Sequence, residues 1–595
     1  MAKSSSWRRS LFTTSWLSLF LVLSVAGPAF AQSWEYVFFK GTQYPLKVVS
    51  IRGDLPGPTV MVQGGIQGDE TSGFITAQLL SKARVVRGNL IVLPRANVPS
   101  INLRKRQINV DMNRRFDRNY NRFYEDRVAR VIRCFLAKSD AFIHLHEGSG
   151  FYNPTYIDSL RNPKRYGQSI IVDTLVWKGA KDSIDLGRAV NDVLKRINSG
   201  ILSKDYKFKL FNTKTFETAT SYPEMRKSLT CYALAEHNIP AIAVEVSKDI
   251  IQLDWKVRQQ LHATTMLLSH FGVDVVLPEF SAADIRAYAR KSVQVKVNGR
   301  PLSNGSTIRL APGGTLSVEP VKEGLSEFEP SVALFASDRP GVNLIEARRM
   351  VLEPFSQLEL RVDGSRVARA KVQWTGSLPK SPNEDAPVFV CWLNGTPKFV
   401  RTGEVLHAVL GDQLILEGVW GSRKQEIVNL KGFVAIPWNN NGQDLGWEII
   451  LDPDNFLGRY AMKSDRKAGV RFKVVRETPG EKRASFFVDI EPRMVHALRL
   501  ADAGGQSLLI PWNKNGLYRL PEGEYTLEEA WSNGPNDKLV TAANDVPLQP
   551  GDRFRVSPDG DIKLVVRQAT TFGELGSMTF SSSRMAQYNG AGHVN

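Results

Sequence analysis

The stretch Gly64-Gly65-Ile66-Gln67-Gly68-Asp69-Glu70 follows an apolar run, Thr59-Val60-Met61-Val62, and decides how the first half of the chain folds. A short apolar run of this kind reads as a strand buried on both faces of a parallel sheet. The Gly-Gly-x-x-Gly turn lets the backbone bend sharply, and Glu70 opens a helical stretch through Phe74, Ile75, Leu79 and Leu80. Gln67 and Glu70 then stand three residues apart at the carboxyl end of a strand, where open α/β sheets place their ligands. Taken alone, a glycine turn with one carboxylate is an ordinary strand-to-helix connection.

Outward from this turn, residues 32–280 alternate strand-like runs with amphipathic helical stretches. Strands are expected at 89–93, 141–145 and 241–245. Helices are expected over 120–138, 183–198 and 250–271, the first with Tyr124, Val128, Val131, Ile132 and Phe135 on one face. The alternation predicts one α/β domain on a mainly parallel or mixed sheet. From about residue 290 the texture changes to short alternating strands with Gly, Pro, Asn and Asp turns. It predicts an immunoglobulin-like β-sandwich over 290–378, a linker rich in Pro and Ser, and an all-β region over 385–570. Ile436-Pro437-Trp438-Asn439-Asn440-Asn441-Gly442 and Ile510-Pro511-Trp512-Asn513-Lys514-Asn515-Gly516 read as one strand exit in two related β-units. The tail, 571–595, is rich in Ser, Gly and Met and reads as disordered.

The first 31 residues carry Lys3, Arg8 and Arg9, an apolar run from Leu11 to Ala26, and the exit Ala29-Phe30-Ala31, which together predict a cleaved signal peptide. No later apolar stretch is long enough to span a bilayer. The formal charge is +17, and +14 once the three basic residues of the signal are removed. An exported basic surface suits an acidic envelope polymer, with peptidoglycan among the candidates, and the exported address excludes nucleic acid. Cys134, Cys231 and Cys391 are odd in number and form no CxxC, so disulfides do not organise the fold.

Three further stretches carry chemistry. Arg106 precedes Val110-Asp111-Met112-Asn113-Arg114-Arg115-Phe116; His144-Leu145-His146-Glu147-Gly148-Ser149-Gly150-Phe151-Tyr152 closes a strand; Glu245 ends the last strand. A catalytic zinc takes three protein ligands and keeps one position open. Gln67 and Glu70 supply a close pair of donors and His146 a distant third. His144, two residues earlier on the same strand face, is a rival donor or a packed neighbour. Glu245 is placed to deprotonate water, Asn113 and Arg114 to grip a substrate carboxylate, and Arg106 to meet a developing oxyanion. No G-x-S-x-G or H-E-x-x-H occurs.

Gly-Gly-x-x-Gly-x-Glu, Asp-x-Asn-Arg-x-Phe and x-Leu-His, in this order, resemble the carboxypeptidase A and aspartoacylase-like zinc hydrolases. Those proteins normally carry His where this chain has Gln67. That departure, the His-Leu-His-Glu-Gly-Ser-Gly-Phe-Tyr segment and the trailing β-domains resemble the periplasmic peptidoglycan D,L-carboxypeptidases that set helical or curved cell shape. The resemblance implies Zn2+ held by Gln67, Glu70 and His146, with Glu245 as general base. It implies Arg106, Asn113 and Arg114 as transition-state and substrate contacts, and Tyr222 as a mobile substrate tyrosine. The implied activity removes terminal meso-diaminopimelate from the muramyl tripeptide stem of peptidoglycan, leaving a dipeptide, in the periplasm. The implied consequence is control of cell shape, with wall or scaffold contacts through the β-domains. Two other readings stand beside it: an amidase or deacylase of another envelope or small-molecule substrate, and a metal-free wall-binding scaffold. An amide oxygen is a weaker donor to zinc than imidazole, so Gln67 predicts lower metal affinity with more Lewis acidity retained.

Overall fold

The computed structural model describes residues 32–179, 183–288, 294–320, 329–337, 339, 341–345, 348–350, 355–376, 387–420, 426–435, 442–466, 468–544 and 546–583. The expected signal peptide, most of the linker and residues 436–441 of the first Ile-Pro-Trp segment lie outside these residues.

The alternation at the start of the chain builds a single nine-stranded sheet. Its elements are β1 (Ser33–Phe38), β2 (Leu46–Arg52), β3 (Leu55–Gln63), α1 (Thr71–Leu80), β4 (Arg84–Leu93), α2 (Val98–Leu103), α3 (Tyr124–Leu136), β5 (Ala141–Gly148), β6 (Ser169–Val172), α4 (Leu186–Ser199), β7 (Lys209–Asn212), α5 (Leu229–His237), β8 (Ala241–Ser247), α6 (Leu253–His270) and β9 (Asp274–Val276). The order across the sheet is β1-β2-β4-β3-β5-β8-β6-β7, with β9 against the start of β4. The centre, β4-β3-β5-β8, is parallel; β1, β2, β6 and β9 pair antiparallel with their neighbours nearer the centre.

The apolar run in β3 is buried on both faces. Val60 and Val62 pack into the core under α1, α4 and α6, whereas Met61 packs into the core under α3 and α5. Such two-sided burial explains why the strand shows no polar alternation. The turn after β3 lies against α2: a Cβ on Gly68 would sit 2.0 Å from the Ser100 carbonyl carbon, so only glycine fits there. Asp185 caps α4 by accepting from the Arg188 N–H at 2.8 Å, which starts that helix at Leu186 rather than 183.

Beyond the sheet domain, residues 295–374 form two four-stranded sheets, and further sheet pairs cover 388–491 and 495–583. The reading of disorder from residue 571 is overturned for residues 571–583, and the rest of that tail, 584–595, lies outside the described residues. Glu574–Ser583 is a strand between Gly516–Pro521 and Ile562–Gln568, and its Met578 and Phe580 are fully buried. Small residues between them lowered the average hydrophobicity and hid a period of two.

All three β-units dock on the first domain. Arg95 pairs with Asp363 at 3.0 Å with both side chains buried, and the Gln43 N–H donates to Glu448 at 3.0 Å. Phe572 enters the core of the sheet domain, its ring edge-on to Phe38 at 5.1 Å, while Arg130 donates to the Thr571 carbonyl at 3.0 Å. Burying one such ring contributes about 1.5–3 kcal/mol. Cys134, Cys231 and Cys391 take part in no disulfide. Among the described residues no helix is long and apolar enough to cross a membrane.

Candidate active site

The carboxyl ends of β3, β5 and β8 open onto one cavity of about 340 Å³. Gln67, Glu70, His146 and Glu245 line it, and so do Arg106, Asn113, Arg114 and Tyr222. Five separate segments of sequence therefore meet in one place.

Register does much of this. β5 and β8 run parallel with Glu245 beside His146, so the two side chains leave the sheet on the same face. Glu70, the N-cap residue of α1, brings its Oε2 to 2.9 Å from His146 Nδ1. The other ring nitrogen of His146, Nε2, lies 3.1 Å from His144 Nδ1. His144 is fully buried; burial and the neighbouring His146 hold its pKa well below the usual range, so it is a neutral imidazole. It orients the His146 ring and leaves Nδ1 to face Glu70. Glu147 turns to the opposite face, where it accepts from the Ser72 N–H at 2.6 Å and from Lys256 at 2.8 Å, and so belongs to the packing.

Asp111, which the motif leaves without a role, has three in the structure. Its Oδ1 accepts from Gln67 Nε2 at 3.3 Å and from the Asn113 N–H at 3.0 Å, while Oδ2 accepts from Arg106 at 2.9 Å. A carboxylate only accepts, so the Gln67 amide nitrogen must face it and the amide oxygen is left for the cavity. Burial works against the Asp111 carboxylate, but the Arg106 charge and hydrogen bond, with Arg114 and Gln67, outweigh it and hold the pKa below the usual range. The turn Met112–Arg114 that Asp111 caps carries the expected fork. Asn113 Oδ1 accepts from the Leu229 N–H at 3.0 Å, which fixes the side chain with Nδ2 still available; Arg114 Nη1 donates to the Asn113 carbonyl at 2.9 Å.

Burial pushes the Glu245 carboxyl up to about 7; the Glu70 charge adds to this and His146, Lys248 and Arg106 oppose it. A carboxylate poised near neutrality is matched to taking a proton from water. The donors also suit a metal. Glu70 and His146 point at one another, and Gln67 has its amide turned by Asp111. Gln67, Glu70 and His146 line this one cavity, whereas among the described residues no group of three His, Cys, Asp or Glu side chains converges to hold a metal.

Gly148, at the end of β5, leaves the room Glu245 needs. A Cβ there would lie 2.6 Å from the Gly167 Cα, 2.7 Å from Glu245 Cδ and 2.9 Å from Oε1. Gly148→Ala is expected to displace the carboxylate and lower kcat by about 10²-fold while zinc content and KM stay near wild type. Unchanged kcat would show that Glu245 need not stand where it does.

Residues 32–281 match the family model described as the carboxypeptidase controlling helical cell shape, catalytic. The N-alpha-acetyl-L-2,4-diaminobutyric acid deacetylase of Halomonas elongata is 32% identical over 111 residues, 18% of this chain. The chain spans about a third (32%) of the length of that curated relative. Among solved structures, tripeptide-bound cell shape determinant Csd4 of Helicobacter pylori is 22% identical with a TM-score of 0.44, covering 75% of this chain and 100% of its own. The mDAP-bound form of Csd4, described as a D,L-carboxypeptidase, is 23% identical with a TM-score of 0.43, covering 73% and 96%. A succinylglutamatedesuccinylase/aspartoacylase from Rhodobacter sphaeroides is 16% identical with a TM-score of 0.28, covering 42% and 69%. Over residues 32–281 the chain is thus similar to the catalytic domains of the carboxypeptidases that control helical cell shape.

Proposed function

We propose that the chain is an exported, zinc-dependent carboxypeptidase that trims peptidoglycan stem peptides, removing terminal meso-diaminopimelate from the muramyl tripeptide and leaving a dipeptide. The observation that supports this reading most is the Asp111 knot, which ties a metal donor (Gln67), a cation (Arg106) and the carboxylate fork (Asn113 and Arg114) into one cavity. A zinc ion held by Gln67, Glu70 and His146 would polarise the scissile carbonyl and make nearby water more acidic. Glu245 takes the proton from that water and returns it to the departing amine. Arg106 faces the charge that grows on the carbonyl oxygen, and Asn113 with Arg114 holds the terminal carboxylate so that only the last peptide bond reaches Glu245.

Purified muropeptides incubated with the zinc-loaded protein should lose one diaminopimelate from the tripeptide and yield the dipeptide by mass. Intact tripeptide after prolonged digestion sinks the proposal. The short likeness to a deacetylase favours one second reading, an amidase or deacylase. It needs the same Glu245 chemistry and differs at the fork. Arg114→Lys keeps charge and loses the planar, paired donors. Amidating the terminal carboxyl is therefore expected to harm wild type at least about tenfold more than Arg114→Lys. Equal penalties in the two proteins mean that Arg114 does not read that carboxylate, and the deacylase reading gains.

A further inference from the structure

A second cavity, of about 730 Å³, shares no lining residue with the active site. It lies where α3 and α5 of the sheet domain meet the last two β-units. Arg130, Arg133, Tyr232 and His237 line it from the helices. Asp452, Val470 and Ile490 line it from the middle β-unit, and Thr571 and Leu575 from the last.

The cationic wall comes from helical spacing. Arg127, Arg130 and Arg133 stand three residues apart on α3 and share one face of it. Among the described residues none of the three pairs with a carboxylate. Arg130 donates to the Thr571 and Tyr120 carbonyls, each at 3.0 Å. Arg133 donates to Asn119 Oδ1 and to the carbonyls of Arg115 at 3.3 Å and Arg118 at 2.9 Å. Its guanidinium lies 5.0 Å from the Tyr232 ring centre and 5.8 Å from that of Phe116. Neutral acceptors hold a guanidinium in place without cancelling its charge. Burial, and then the like charge of Arg127, push the Arg130 pKa down to about 10. Arg133 Nε and His237 Nε2 are buried with no partner among the described residues.

The acidic side chains around the cavity leave most of this charge standing. Glu491 is paired with Arg466, Glu574 with Arg567 at 3.5 Å, and Asp454 is exposed at the rim. Asp452 remains. Its Oδ1 accepts from the Asp454 N–H at 3.1 Å, burial pushes its carboxyl up, and it makes no ion pair with Arg127 or Arg130 across the gap. We propose that this cavity binds a small organic anion, a carboxylate or phosphate on a compact carbon body. The charge sits on Arg130 and Arg133, and the carbon body packs on Val470, Ile490 and Leu575. Because the walls come from the sheet domain and from both later β-units, the ligand favours the docked arrangement over any in which they separate. The proposal assumes nothing about the reaction at Glu245, so the two stand or fall separately.

The full mature protein is titrated by calorimetry with succinate and with glycerol 3-phosphate, in chloride buffer held at constant ionic strength. At least one of them is expected to bind saturably and to raise the midpoint of thermal unfolding; the tighter of the two identifies the anionic group. Arg130→Gln and Arg133→Gln should each weaken that binding at least about tenfold. Both variants also lose bonds that fix α3, so Asp452→Asn is the deciding change. Asparagine still caps the turn at Pro453, and removal of the opposing carboxylate should tighten binding at least about threefold, a result that a damaged fold does not give. Hydrogen exchange should slow together in Tyr124–Leu136 and in 567–575 when the anion binds. The proposal is overturned if neither anion binds saturably, if both arginine variants bind as wild type does, or if Asp452→Asn binds equally or more weakly. Binding lost in Arg114→Lys instead would place the anion at the carboxylate fork and overturn it too.

Discussion

Glu245→Gln is expected to keep the fold and the zinc yet lose turnover by about 10³- to 10⁴-fold, because the amide cannot take a proton from water. The change is nearly isosteric, and the residue opposite it on β5, His146, keeps its bonds to Glu70 and His144. The pH profile adds a second reading of the same group. A base works only when ionised, and burial raises the Glu245 carboxyl to about 7, so protonation competes with ionisation near neutrality. A dication beside it favours the carboxylate, so the zinc-loaded enzyme should show an acid limb in kcat/KM with its midpoint below 7. That limb should be missing from the residual rate of Glu245→Gln. Zinc per chain by atomic absorption, beside muropeptide turnover from pH 4 to 9, checks both points. Activity within tenfold of wild type removes Glu245 from the chemistry.

Asp111→Ala is expected to cost more than any other change outside the four residues placed on the metal and the water. It frees the Gln67 amide to rotate, releases Arg106, and uncaps the turn that carries Asn113 and Arg114. Loss of a partner behind a metal ligand costs about 10- to 100-fold in metal affinity. The loosened fork multiplies that loss in kcat/KM. Titration with a chelator should strip zinc from Asp111→Ala at concentrations that leave wild type loaded, and saturating zinc should restore only part of the activity. Wild-type zinc retention would show that the Gln67 amide needs no orienting partner. Full recovery in excess zinc would show that the fork stands without Asp111.

Much of the cavity was readable in the chain because its parts sit at predictable ends of predictable elements. The two-sided apolar run before Gly64 identifies a central strand, and central parallel strands carry their ligands at their carboxyl ends. That logic brings Gln67, Glu70, His146 and Glu245 together before any coordinate is known. The role of Asp111 was not readable, since a sequence shows that an aspartate starts a turn and not which amide its second oxygen will meet. The strand at Glu574–Ser583 escaped because composition averages away a period of two when the intervening residues are small. Residue Asp185 moved a helix start by three positions, a shift that only the cap itself reveals.

Phe572 sets an order of events. Arg130 and Thr571, which bond beside it, are 441 residues apart in the chain. A polypeptide made from its N-terminus presents Phe38 and Phe135 long before the ring that packs on Phe38 has emerged. The sheet can form early, yet its core stays open on the α3 side until the last β-unit has arrived and folded. Chains that stop short, or lose their end to a protease, leave an apolar gap at Phe38 that quality control can recognise.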